Sequence, residues 1–303
     1  MLSALSGFVL IGAIVAVGWA LRRWAGLPAE TSGLLGRVVY LVLAPCLLFT
    51  GVAEADLGVL FTRPLLVSTL AAVLCFAIFA VAFRRRDPGT RVLGALAGGY
   101  TNANYIGLPV ATYVLGDATL VVPIVMLQLL IITPLALLLL EVVTTGRASW
   151  RSVLGRPARN LLIISVLLGA VVALTGARVP AVLLDPVSTL GQAAVPMILL
   201  AFGMSLSGRL LLEAGPERAP TITAVALKVA VMPAIAFLLA LAAGLSREAT
   251  YAVTVLAALP TAQNVFLYAQ TFRTGVVLIR DAIFLSTVGC VPVMLVIAFL
   301  FSL

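Results

Sequence analysis

Long apolar runs follow one another down this chain, separated by short polar connections. A hydrocarbon core about 30 Å thick needs roughly 20 apolar residues per helix. Ten runs come close to that length: 3–21, 34–53, 64–83, 91–115, 119–141, 160–177, 186–207, 219–243, 249–272 and 279–301. The connections carry breakers such as Gly26-Leu27-Pro28, Asp87-Pro88-Gly89 and Gly215-Pro216, which stop helices and turn the chain. The pattern predicts an all-α polytopic membrane protein with ten transmembrane helices in one domain spanning residues 1–303.

Two of the runs are interrupted by polar chemistry. The fourth contains Tyr100-Thr101-Asn102-Ala103-Asn104-Tyr105-Ile106-Gly107-Leu108-Pro109, and the ninth contains Leu259-Pro260-Thr261-Ala262-Gln263-Asn264-Val265-Phe266. The chain has four Asn residues, and three of them fall in these two stretches. Amides beside a proline, deep in apolar sequence, are costly unless the backbone is unwound around something polar. Matched interruptions in the two halves of a chain point to the substrate site of a secondary transporter. Half-helix N-termini meeting there present N–H groups and positive dipole ends, which favour an anion such as a carboxylate. Simple kinks, with the Asn side chains bonded to neighbouring helices, are the alternative reading.

Further markers predict a 5+5 inverted repeat, with repeat one over 1–146 and repeat two over 156–303. Ala44-Pro45 matches Val195-Pro196, Thr133-Pro134 matches Val291-Pro292, and Asn104 matches Asn264, in the same order in both halves. Basic residues then set the orientation. With the N-terminus outside, the inner connections hold fifteen Arg residues and the outer ones hold Arg63, Arg178 and Arg247. This predicts a multi-pass protein of the cell membrane with both termini extracytoplasmic. The longest charged connection, Arg147 to Arg159, falls at the midpoint.

Composition agrees, with 63% hydrophobic residues, 10% charged residues and a net charge of +8. The positive charge is topological, since no aromatic-interleaved basic surface exists for nucleic acid. Cys46, Cys75 and Cys290 all lie inside apolar runs, where cysteine behaves as a small hydrophobe. There is no His. An intramembrane enzyme lacks its nucleophile–base pair, embedded paired acids or metal ligands, so neither catalysis, a metal nor a cofactor is expected.

The stretch from Asn102 to Pro109, continuing to Gly116, resembles the fourth-helix motif of the auxin efflux carrier family. Ala258 to Phe266 is similar to its ninth-helix partner. Ala44-Pro45-Cys46-Leu47-Leu48-Phe49 and Val195-Pro196-Met197-Ile198-Leu199-Leu200 resemble its Pro-marked second and seventh helices. The resemblance covers the whole chain. It implies a fold shared with bile-acid sodium symporters, in which helices four and nine cross at the site and move, elevator-fashion, against a scaffold. It also implies export of small organic acids, malate or malonate in bacterial members and auxin in plant members. Asn102 falls on the family's motif Asn, whereas Asn104 stands where many members carry a small residue. No long regulatory loop separates helices five and six.

The expected substrate-binding residues are Asn102, Asn104, Tyr105, Pro109, Pro260, Thr261, Gln263 and Asn264. Lys228 lies mid-run in span eight, and a cation there is a functional candidate. It could compensate an anionic substrate, act in gating, or snorkel along a tilted helix. Glu54 and Asp56 are placed at an outer vestibule, and no acid is read as intramembrane. The partners expected are a small carboxylate and the lipid bilayer, with a homodimer left open. A sodium-coupled symporter of the bile-acid type and a channel are the rival functions.

Overall fold

The computed structural model describes residues 2–28, 30–54, 62–107, 110–111, 114–145, 161–177, 179–207, 212 and 215–302, with the side chains of residues 2–11, 104, 105, 118, 119, 145, 163 and 166 left out. Pro109, Asp56, Arg178, Arg209 and the basic connection from Arg147 to Arg159 lie outside the described residues. The regular structure is helical: α1 (Leu2–Trp24), α2 (Thr31–Ala53), α3 (Arg63–Ala82), α4 (Pro88–Gly99), α5 (Val122–Thr144), α6 (Leu161–Thr175), α7 (Ala181–Leu206), α8 (Arg218–Ala242), α9 (Arg247–Ala257), α10 (Asn264–Phe272) and α11 (Val276–Ser302). Six of these, α2, α3, α5, α7, α8 and α11, are long and apolar enough to cross a membrane. Helices α4, α9 and α10 are short because two apolar runs are interrupted, at Tyr100 and at Ala258.

Prolines shape three of the long helices in one way. A five-residue wide turn precedes each of Ala44-Pro45, Thr133-Pro134 and Met232-Pro233: Val39–Leu43 in α2, Gln128–Ile132 in α5 and Leu227–Val231 in α8. A helical proline lacks its N–H and its ring clashes with the carbonyl four residues earlier. Those carbonyls belong to Leu41, Leu130 and Val229, each inside its wide turn. Widening the helix by one residue there makes room. Pro196 and Pro292, by contrast, sit inside regular helix.

The helices pack as two groups. Helices α1, α2, α6 and α7 lie mainly on one another, and their backbones approach closely at glycines. A Cβ on Gly203 of α7 would land on the carbonyl oxygen of Val15 in α1, and one on Gly18 of α1 on that of Leu200 in α7. A Cβ on Gly191 would stand 2.9 Å from the Leu47 amide nitrogen of α2. Small residues permit such contact between membrane helices. The second group holds α3, α4, α5 and α8–α11. Here the small-residue run Gly94-Ala95-Leu96-Ala97-Gly98 lets α4 nest between the Phe79 ring of α3 and Leu227 of α8. Gln270 of α10 reaches across to the first group, donating from Nε2 to Ser32 Oγ at 2.9 Å, while Ser32 Oγ donates to Ala201 O at 2.8 Å.

One reading of the charges needs correction. Arg280 counted as part of an inner connection, and no acid was read inside a span. Both Arg280 and Asp281 are buried within α11 and pair with each other at 2.6 Å. Asp281 Oδ2 also accepts from Leu212 N at 3.0 Å. Neighbours in sequence can thus neutralise each other locally, so neither charge demands a solvated connection.

Candidate functional site

Helix α4 ends at Gly99 and α9 at Ala257, and both lead into non-helical backbone. The two breaks lie side by side and antiparallel. Asn102 N donates to Pro260 O at 2.8 Å, and Ala262 N donates to Tyr100 O at 3.1 Å, around a bridge between Thr101 and Thr261. Interrupted helices leave main-chain groups without partners. Here each break supplies partners for the other, which lets unwound backbone persist in apolar surroundings. Helix then resumes as the wide turn Ala103–Gly107 in one arm and as α10 in the other.

Side chains complete the frame. Thr261 Oγ1 donates to Ala97 O at 2.6 Å, and Thr261 N donates to Ser286 Oγ of α11 at 3.1 Å. On the opposite side, Gln128 Nε2 of α5 donates to Thr101 O at 2.8 Å. Lys228 of α8 donates from Nζ to Ala257 O at 2.7 Å. Both half-helix ends therefore have a donor on a terminal carbonyl.

The amides meet at the centre. Asn102 Nδ2 donates to Gln263 Oε1 at 2.7 Å, with both residues buried. Asn264, the first residue of α10, lies against the Tyr100 hydroxyl. That hydroxyl is 2.8 Å from Thr133 Oγ1, to which Tyr268 also donates at 3.3 Å. Of the residues expected from sequence, the structure brings together Asn102, Pro260, Thr261 and Gln263, with Asn264 on the Tyr100 side. Thr261 and Pro260 are engaged in holding the breaks. Asn104 and Tyr105 contribute backbone to the wide turn, and Pro109 lies outside the described residues.

Beside the crossing is a cavity of ≈ 20 Å³, lined by residues that include Ser68, Thr101, Gln128, Met232 and Ala257, with room for one water-sized molecule. Sequence reasoning missed Gln128 and Ser286. Their signal was a polar side chain, alone at Gln128 and beside Thr287 at Ser286, in an otherwise apolar run, which is weak because such residues also serve ordinary helix packing. Both of the larger polar residues at the frame, Gln128 and Lys228, sit on wide turns, a common feature of functional positions.

Chemically, the crossing offers amides and hydroxyls. Among the described residues no group of three or more His, Cys, Asp or Glu could hold a metal ion. The first N–H groups of α10 are taken up by nearby carbonyls, Val265 N by Ala262 O and Phe266 N by Gln263 O, so the side-chain amides and hydroxyls are the groups the crossing has to offer a ligand.

Two comparisons with known proteins cover nearly the whole chain. A family model described as "Membrane transport protein" matches residues 6–298. A Rhizobium meliloti protein named "Putative malonate transporter" is 25% identical over 293 residues, covering 89% of this chain and 88% of that relative.

Proposed function

The chain belongs to the membrane transport protein family, the auxin efflux carriers, and on that premise we propose that it carries small carboxylates across the cell membrane as a secondary transporter. The observation that carries this reading is the pairing of two helix breaks around the Asn102–Gln263 amide pair. Paired breaks gather neutral donors in one small volume without committing a fixed counter-charge that would trap the anion. The name of the Rhizobium meliloti relative supports a short dicarboxylate such as malonate as substrate.

The mode of transport is alternating access of the elevator type. The group of α3–α5 and α8–α11 carries the crossing and slides along the group of α1, α2, α6 and α7. The division of packing into those two groups supports this, as does the close backbone contact within the group of α1, α2, α6 and α7. The 5+5 inverted repeat is supported by side chains as well as prolines. Thr101 and Thr261, which bridge, are 160 residues apart, and their supports Gln128 and Ser286 are 158 apart. Export is the direction the family resemblance implies.

The test is exchange of labelled malonate and malate by purified protein in proteoliposomes. Saturable exchange without added sodium is expected. Flux that rises linearly with concentration would mean a channel, and an absolute need for sodium would mean a symporter of the bile-acid type. Orientation has its own check. In a variant lacking Cys46, Cys75 and Cys290, an impermeant thiol reagent added outside should label a cysteine at Ala181 and spare one at Gly215. The reverse pattern would invert the topology.

A further inference from the structure

Lys228 is the single lysine of the chain, and its burial is complete, with 0% exposure, on the wide turn Leu227–Val231. It does not snorkel. Its nitrogen donates to Ala257 O at 2.7 Å and to Met232 Sδ at 3.2 Å, and among the described residues it has no carboxylate partner. The titratable groups that face it from other helices are the thiols of Cys75 in α3 and Cys290 in α11. From α9 it meets the Ala257 carbonyl. The buried charges Arg280 and Asp281 of α11 are committed to each other.

An ammonium in such a place, with one carbonyl and one thioether as acceptors, bears most of its desolvation cost uncompensated. A neutral amine keeps both hydrogen bonds without that cost. An anion nearby reverses the balance, because opposite charges attract strongly where water is excluded. The position suits such an exchange. Ala257 ends the half-helix that leads through Pro260 into the bridge, and Met232 and Ala257 line the cavity shared with Thr101 and Gln128. The nitrogen therefore lies behind the wall of the crossing and is held by two groups of that wall.

Resting on the reading of the crossing as a carboxylate site, we propose that Lys228 takes up one proton each time a carboxylate enters and gives it up when the carboxylate leaves. The balance is an amine, a proton and a carboxylate on one side, and an ammonium facing a carboxylate in the loaded carrier. The proton comes from the compartment that supplies the anion and leaves with it on the other side. Anion and proton then travel together. The carbonyl end of a broken helix, where coupling cations bind in other carriers, is occupied here by a tethered nitrogen, so sodium has no part.

Because the lysine is unique, it can be observed directly. Protein labelled with 13C-lysine has one side-chain signal, to be recorded at mildly alkaline pH with and without malonate. The expected result is a neutral-amine signal that moves to the ammonium position as malonate is added. An ammonium signal in both samples, or an amine signal in both, would overturn the proposal. In proteoliposomes with the membrane potential clamped at zero, each unit of pH gradient should raise the steady accumulation of malonate about tenfold. The variant Lys228→Arg, with a charge that cannot be shed, should lose that response. Malonate exchange in the wild type that ignores the pH gradient would overturn proton coupling and leave the carboxylate reading intact. Exchange of neither malonate nor malate would defeat the carboxylate reading, and the proton proposal with it.

Discussion

Asn102→Ala should weaken carboxylate binding by about tenfold to a hundredfold, and removing Asn102 and Gln263 together should abolish it. On the proposed reading each amide gives a hydrogen bond to a charged ligand, worth roughly 1.5–3 kcal/mol. In the structure Asn102 Nδ2 donates to Gln263 Oε1. Deleting Asn102 strands the Gln263 oxygen in a buried place, so part of the effect reflects altered positioning of the partner. The measurement is binding of labelled malonate to purified variants, after thermal unfolding has shown that each is folded. Unchanged affinity in both single variants would mean that the breaks are structural kinks and the substrate binds elsewhere. The main-chain bridge does not depend on these side chains, so the variants are expected to fold.

The second large effect concerns stability. Gly203→Val should lower the unfolding temperature sharply or prevent recovery of monodisperse protein. A Cβ at this position meets the Val15 carbonyl oxygen of α1, and Gly18 makes the reciprocal approach to Leu200 of α7. Overpacking a well-fitted site usually costs about 1–3 kcal/mol, and here the obstacle is main chain, which cannot step aside by changing rotamer. Gly12→Ala in α1 is the contrast, since nothing lies within 4 Å of the added Cβ. Helix propensity there favours alanine by about 1 kcal/mol. Equal unfolding temperatures of purified Gly203→Val and wild type would show that α1 and α7 do not need this contact.

How much of this was readable in the sequence differs from residue to residue. The breaks were conspicuous because Asn and Pro are expensive in apolar surroundings, and α4 and α9 end where those residues begin. The choice of Gln263 over Asn264 as the partner of Asn102 was not readable. Adjacent helical residues point about 100° apart, and the chain gives no measure of how α10 is rotated. Thr101 passed unmarked and Thr261 was read as a substrate ligand, and in neither was the bridging role legible. Threonine hydroxyls usually bond their own helix, so a bridging role leaves no mark in composition. Arg280 was counted with a connection and Asp281 was passed over because charge near the end of a run looks solvated, whereas a local pair can be buried whole. The wide turns follow from Pro45, Pro134 and Pro233, but other prolines sit in regular helix, so proline alone does not predict them.

The bridge between Thr101 and Thr261 is made by main-chain atoms of Tyr100, Asn102, Pro260 and Ala262. A joint of that kind is indifferent to most side chains, because every residue but proline brings the same N–H and every residue brings the same C=O. On the proposed reading, mutations at positions 102, 104, 263 and 264 alter what is held at the crossing while the crossing itself survives. A protein built this way can change its cargo one residue at a time without passing through an unfolded ancestor.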